Sequence, residues 1–350
     1  MRDVAIVSFA QGQNVRCETE RNEVEMLMPV VSEAVEASGI PRKEIGFTVS
    51  GSCDYIAGQP FAFVSGIDAV GPWPPINESH VEMDGAFALY EAWVKIQTGE
   101  ADSALVYAFG KSSMGDIAEV LTLQLDPYNV APLWPDAVSL AALQARVLLD
   151  RGHATERAMA EVAARSRRSA KSNPKAQLRG DFGVDALLAE PYLVAPLRKH
   201  DCPPVTDGAA AVVLAAGDLA RKKCRRPAWI RGIDHRIESH SLGARNLARS
   251  VSTEIAGEKA GAFTGVLDVA ELHAPFTHQE LILRDALRLA PSVAVNPSGG
   301  ALAANAVMVA GLIRLGEAAA RVHAGEAKRA LAHATSGPCL QQNLVCVMEA

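Results

Sequence analysis

Twice along this chain a tight, glycine-bearing turn runs into a helix-spaced stretch built largely of small apolar residues. The first turn is Glu82-Met83-Asp84-Gly85, which opens a stretch over Gly85–Thr98 with Ala88, Leu89, Ala92, Trp93 and Ile96 at helical spacing. The second is Asn296-Pro297-Ser298-Gly299-Gly300, which leads into residues 301–322. Small side chains let a helix come close to a sheet or to another helix, so the pattern predicts two helices buried at the centre of the molecule. It is also the pattern that an internal duplication would leave.

The remaining segments fit an α/β layered architecture, because short β-rich apolar runs alternate with longer helical ones. Residues 4–9, 45–49, 104–109 and 207–215 read as strands in the first part of the chain, and residues 265–272, 293–295, 330–334 and 344–348 in the second. A helix over Glu23–Ser38 is closed by Gly39, and Thr277 with Glu280 makes a capping box for a helix over residues 279–289. Residues 112–199 carry few strand signals and two helical stretches, 138–151 and 155–171, which reads as a lobe inserted over the core. The expected organisation is an N-terminal half over 1–220 that includes a lobe over 112–200, and a C-terminal half over 221–350.

Composition narrows the function. The 350 residues are 49% hydrophobic and 21% charged, too apolar for a disordered chain. A net charge of −6 argues against wholesale binding to phosphate backbones, so nucleic acid is not an expected partner. The six cysteines include no C-x-x-C pair, which argues against a structural zinc site, and they are too sparse for a disulfide scaffold. No metal is expected. The opening apolar run is too short for a signal peptide, and no stretch reaches the roughly 18–20 apolar residues of a membrane span. The expectation is a soluble, cytoplasmic protein.

Four motifs, in order along nearly the whole chain, carry a family resemblance. Asn173-Pro-Lys-Ala-Gln177 resembles the N-P-x-A-Q segment of the thiolase lobe, and Asp207-Gly-Ala-Ala-Ala-Val resembles the thiolase S-D-G-A-A-A-V strand. Glu271-Leu-His-Ala-Pro-Phe276 resembles the H-D-C-F box of sterol-carrier-protein-type thiolases, and Asn296-Pro-Ser-Gly-Gly300 the N-P-x-G-G turn. The resemblance implies a thiolase fold: two similar α/β/α/β/α halves with an inserted loop lobe. It further implies action on acyl-CoA thioesters, with coenzyme A entering as part of the substrate and no bound cofactor. In this family the lobe holds the CoA phosphates, which points to Arg165, Arg168 and Lys171.

The catalytic residues of a thiolase do not carry over with the fold. The nucleophilic cysteine of the family's C-x-x-G turn, whose thiolate a helix N-terminus would favour, is replaced by Glu82. Asn305 stands where the histidine of the G-H-P box would activate that cysteine. The second cysteine falls near Gly337, counting back from Glu349, with Cys339 two residues away. His273 is retained from the H-D-C-F box. The loop between that box and the N-P-x-G-G turn is short, which would leave the pocket wide or open to a partner.

Without a thiolate there is no acyl-enzyme, so ordinary thiolysis is disfavoured. Glu82, His273, Asn305 and Cys339 are the candidate catalytic residues, and Asp84, His80, Gly299 and Gly300 the candidate substrate-binding ones. Two helix N-termini with Asn305 nearby would hold a thioester oxygen as it becomes an enolate, while Glu82 or His273 removes a hydroxyl proton. That is retro-aldol chemistry, and the sequence resembles the lipid-transfer branch whose members are steroid side-chain aldolases. Those aldolases are associated with catalytic tyrosines, whereas all five tyrosines here lie in the first 192 residues.

Each residue has a plainer role beside the sharp one. Glu82 and Asp84 at a helix start can simply accept backbone N–H groups. His273 can be a buried imidazole held by a carbonyl, and Cys339 a small buried hydrophobe. A basic stripe on a helix is often just its solvated face. The competing function is therefore a non-catalytic acyl-CoA-binding or structural subunit of a heteromeric thiolase/aldolase complex. Expected partners are the acyl-CoA and either a second copy or a thiolase-like or OB-fold protein.

Overall fold

The computed structural model describes residues 2–350. Its strands are β1 (Val4–Gln11), β2 (Phe47–Gly51), β3 (Glu78–Val81), β4 (Ser103–Lys111), β5 (Tyr192–Val194), β6 (Leu197–Arg198), β7 (Asp207–Ala216), β8 (Ala228–Ile237), β9 (Val269–Leu272), β10 (Ala294–Val295), β11 (Arg329–Ser336) and β12 (Gln342–Glu349). Ten of them join one mixed sheet in the order β10-β9-β11-β12-β8-β1-β7-β4-β2-β3, while β5 and β6 form a separate ribbon.

Read outward from the β1–β8 seam, the two sides are the same. On one side β1 and β7 pair antiparallel, as do β7 and β4, and β4, β2 and β3 then run parallel. On the other, β8 and β12 pair antiparallel, as do β12 and β11, and β11, β9 and β10 run parallel. The two halves thus share strand order and pairing sense, the topology that a duplicated unit would have.

Strand β7, apolar from Gly208 onward, shows how the layers arise. Its side chains alternate between faces. Ala210, Val212 and Leu214 join the central core, while Ala209, Ala211, Val213 and Ala215 join an outer core under the helix Glu23–Ser38. The central core holds both small-residue helices, now Gly85–Thr98 and Ala310–Ala324. Helices Val251–Lys259 and Thr277–Ala286 cover the outer face of the second half. The result is five layers, helix and sheet alternating. The two central helices touch near their N-termini, and Gly85 is what admits this. A Cβ there would lie 2.7 Å from Ala108 Cβ and 2.9 Å from Leu312 Cδ2.

Three local expectations are corrected. The Asn296–Gly300 turn does not feed its helix directly: residues 301–309 form a buried connection and the helix begins at Ala310. The Thr277/Glu280 capping box is absent, because Thr277 Oγ1 donates to Asp201 and Glu280 pairs with Arg165, leaving the Gln279 side chain to accept from the Phe276 N–H. Strand β9 begins at Val269 rather than at Gly265.

Candidate active site

The site grows from the carboxyl ends of the parallel strands in both halves, where open α/β sheets place ligands. Strands β2 and β3 run parallel with Gly51 opposite Val81, so the residues just beyond them, Cys53 and Glu82, come out side by side. In the other half β9 delivers His273 and the end of β11 delivers Thr335. The buried 301–309 connection adds Asn305. These groups open on one cavity of about 770 Å³, walled on the lobe side by Leu121, Gln124 and Leu140.

Asp84 ties the two halves together at the wall of that cavity. Its Oδ1 accepts from Ala86 N (2.9 Å) and Leu312 N (3.0 Å), and its Oδ2 from Gly311 N (2.8 Å). One buried carboxylate therefore caps both central helices at once. Burial dominates and pushes its pKa above the usual carboxylate range, only partly offset by the three N–H donors and nearby Arg314. This corrects one expectation. Asp84 reaches the cavity wall as expected, but both its oxygens are engaged by backbone donors, and the helix N-termini it occupies do not offer those donors to a thioester oxygen.

His273 and Asn305 form the polar wall. His273 Nδ1 accepts from Thr335 N (3.4 Å), so the ring proton sits on Nε2, which donates to Asn305 Oδ1 (3.1 Å). Burial lowers the His273 pKa to about 4, so the ring is neutral near pH 7. Both ring nitrogens are engaged, which makes His273 a positioning group and not a free base. The amide of Asn305 is thereby fixed with Oδ1 toward His273. Its Nδ2 donors have no protein partner among the described residues, and the side chain lines the cavity.

Glu82 lines the same cavity with 48% of its side chain exposed. Its Oε1 accepts from Asp54 N (2.6 Å), and its Oε2 lies 3.2 Å from His80 Nε2. His80 stacks on Phe63 and reaches Ser50 Oγ through Nδ1 (3.2 Å), so it steadies Glu82 from behind and does not line the cavity.

The other expected residues fall elsewhere or act otherwise. Cys339 does reach the cavity, but its thiol donates to Leu140 O (3.4 Å), and burial pushes its pKa up to about 11. Gly299 and Gly300 do not line the cavity: they pack against Ala170, Ala303 and Asn296 with φ of 99° and 64°. Arg165 is paired with the fully buried Glu280, and Arg168 and Lys171 share Asp181 on the lobe surface. Cys53, in the loop after β2, lines the cavity, as does Tyr55. The signal for both was topological, since only parallel pairing of β2 with β3 brings that loop to the Glu82 turn. Among the described residues there is no cluster of three or more His, Cys, Asp or Glu side chains able to hold a metal ion. No helix is long and apolar enough to cross a membrane.

Two five-stranded halves around paired central helices, with a lobe over the parallel strand ends, make a thiolase-like fold. The comparisons agree. An acetyl-CoA acetyltransferase of Methanocaldococcus jannaschii is 25% identical across 91% of this chain and 89% of its own length. Sterol carrier protein 2 of Bos taurus is 25% identical over 62% of this chain, a match that spans 44% of that protein. The benzoylsuccinyl-CoA thiolase subunit BbsB of Thauera aromatica is 22% identical over 74% of this chain and 69% of its own. The solved structure of an Ltp2-ChsH2(DUF35) aldolase superposes with a TM-score of 0.80 at 18% identity, over 99% of this chain and 98% of that one. No protein-family model matches the chain.

Proposed function

We propose that this chain cleaves a carbon–carbon bond in a bulky 3-hydroxyacyl-CoA by a retro-aldol step, without a covalent acyl-enzyme. One observation carries the reading. A single 770 Å³ cavity presents a carboxylate, Glu82, where thiolases carry their nucleophile, together with an oriented amide donor, Asn305. Glu82 accepts the β-hydroxyl proton, the Cα–Cβ bond breaks as the new carbonyl forms, and the electron pair moves into the thioester. Asn305 Nδ2 donates to the enolate oxygen. His273 holds that amide and stays neutral.

The acyltransferase and thiolase relatives support a CoA thioester as substrate, and the aldolase neighbour supports the class of reaction. Leu121, Leu140 and Phe276 give the cavity apolar walls suited to a large lipid-like or steroid-like acyl group. Arg168 and Lys171, exposed on the lobe, are the cations left to meet CoA phosphates. A DUF35 partner like that of the aldolase neighbour fits a mouth where Tyr55 and Leu123 are exposed. The second reading, a non-catalytic subunit of a heteromer, is favoured by the occupied state of Glu82, which already accepts from Asp54 N.

Product analysis by mass spectrometry across 3-hydroxyacyl- and 3-ketoacyl-CoAs separates these readings. Cleavage of the hydroxy ester without free CoA supports the retro-aldol step. Cleavage only of the keto ester, and only with free CoA, returns the protein to thiolysis. No cleavage, alone or with a DUF35 partner, favours the non-catalytic subunit.

A further inference from the structure

Beyond Glu82 and Asn305, the cavity holds a further proton-carrying group, the Cys53 thiol. Cys53 is a buried residue that lines the cavity, held at the start of the short turn Asp54–Ala57. Gln124 of the lobe donates to its Sγ through Nε2 (3.3 Å). The Glu82 carboxylate accepts from the very next backbone N–H, that of Asp54, at 2.6 Å, which holds its charge beside the Cys53 thiol. Carboxylate and thiol are therefore adjacent, fixed by the in-register ends of β2 and β3, and both face the space where a substrate would lie.

We propose that Cys53 is the acid partner of Glu82: it protonates the α-carbon of the thioester enolate after Glu82 has taken the hydroxyl proton. This rests on the retro-aldol reading above. The protons balance within the site. Glu82 becomes a carboxylic acid as the hydroxyl O–H bond breaks. The enolate carbon then takes the Cys53 S–H proton, releasing a CoA thioester and leaving a thiolate. That thiolate recovers its proton from the adjacent Glu82 carboxylic acid, which restores both groups. No oxidant, reductant or acyl-enzyme is needed. Burial first, and then the Glu82 charge, push the thiol pKa up, so at neutral pH the group waits as a donor and not as a nucleophile.

Two measurements test this, one of them independent of turnover. In the full-length protein, the rate at which iodoacetamide labels Cys53 at pH 8 is followed by peptide mass spectrometry in wild type and Glu82→Gln. Removing the charge that keeps the thiol protonated is expected to speed labelling at least about threefold; an unchanged or slower rate overturns the pairing. The second measurement is α-deuterium uptake into acetyl-CoA or propionyl-CoA in D2O, alongside cleavage of 3-hydroxyacyl-CoAs. Cys53→Ser is expected to lower exchange about 10²-fold, while Cys224→Ser, remote from the cavity, leaves it at the wild-type rate. A wild type that cleaves and exchanges, matched by an equally active Cys53→Ser, overturns the role of Cys53 and leaves the retro-aldol reading standing. A wild type that neither cleaves nor exchanges overturns the retro-aldol reading and the role of Cys53 with it. Matching thermal melting of wild type and Cys53→Ser assigns the loss to chemistry; a variant that melts early and regains exchange at lower temperature overturns the proposal.

Discussion

Replacing Asp84 should uncouple the two central helices. Its carboxylate accepts three backbone N–H groups, from Ala86, Gly311 and Leu312, at 2.8–3.0 Å, and the side chain is buried. A hydrogen bond to a charged group contributes about 1.5–3 kcal/mol, and a buried donor left unpaired costs about 1–3 kcal/mol. Asp84→Ala removes both acceptor oxygens and with them all three bonds, so the loss should be on the order of 4–6 kcal/mol, allowing for non-additivity within one cluster. Asp84→Asn is milder. Its amide oxygen can keep the two bonds made by Oδ1, while its NH2 group faces the Gly311 N–H, donor against donor, for a loss of about 2–3 kcal/mol. Either value is a large part of the ~5–15 kcal/mol that typically separates folded from unfolded domains. Urea unfolding at pH 7, followed by far-UV circular dichroism, should rank stability as wild type, then Asn, then Ala. An Asp84→Ala protein within about 1 kcal/mol of wild type would refute the claim that this carboxylate clamps both helices.

Other expected outcomes are as direct. His273, His278 and His333 are held neutral by burial, with pKa values lowered to about 4, about 3 and about 3. In the unfolded chain they take up protons near pH 6.5, so stability should fall as the pH drops from about 6.5 toward 4, by up to about 1.4 kcal/mol per pH unit for each histidine. A flat urea midpoint across that window would contradict the burial of these rings. Arg165→Ala should destabilise the fold, since it removes a partner of the fully buried Glu280. Arg168→Ala and Lys171→Ala should leave the melting temperature unchanged and weaken CoA binding by calorimetry; intact affinity would remove them from the CoA site. Gly311→Ala should fold poorly, because the added Cβ would lie 2.6 Å from Asp84 Oδ1 and 2.7 Å from Ala334 Cβ. A wild-type melting temperature would show that the helix contact can relax. Glu82→Gln should lower turnover about 10²–10⁴-fold with little change in melting temperature, since Glu82 is half exposed. Full turnover would discard it as the base.

How much of this was legible beforehand differs from element to element. The limits of the helix Glu23–Ser38 were readable because local signals agree: helical spacing, a closing Gly39 and, in the structure, a capping box between Asn22 and Glu25. The burial of the Gly85 helix was readable from its small residues, and so was the layered class from the alternation of runs. By contrast, the start of the second central helix was misplaced by nine residues' worth of buried loop, 301–309, whose small apolar composition is shared by helices and by tightly packed connections. The Thr277/Glu280 capping box failed because both side chains had stronger partners elsewhere in the fold, Asp201 and Arg165.

The amino-acid order by itself thus determined the repeated turn-and-helix pattern, the run of apolar strands, and the placing of Glu82 just before the Gly85 helix and of Asn305 just after the Asn296–Gly300 turn, since these depend on near neighbours and composition. Tertiary structure decided which of those groups meet. Asp84 became the clamp of both helices because the two halves bring Gly311 and Leu312 within 3.0 Å of it from more than 200 residues away. Cys53 entered the cavity because two parallel strands end in register. His273 changed from an expected base to a neutral support because burial and two hydrogen bonds, from Thr335 and to Asn305, hold its ring. Long-range pairing and desolvation set those outcomes, and neither is encoded in any short window of the chain.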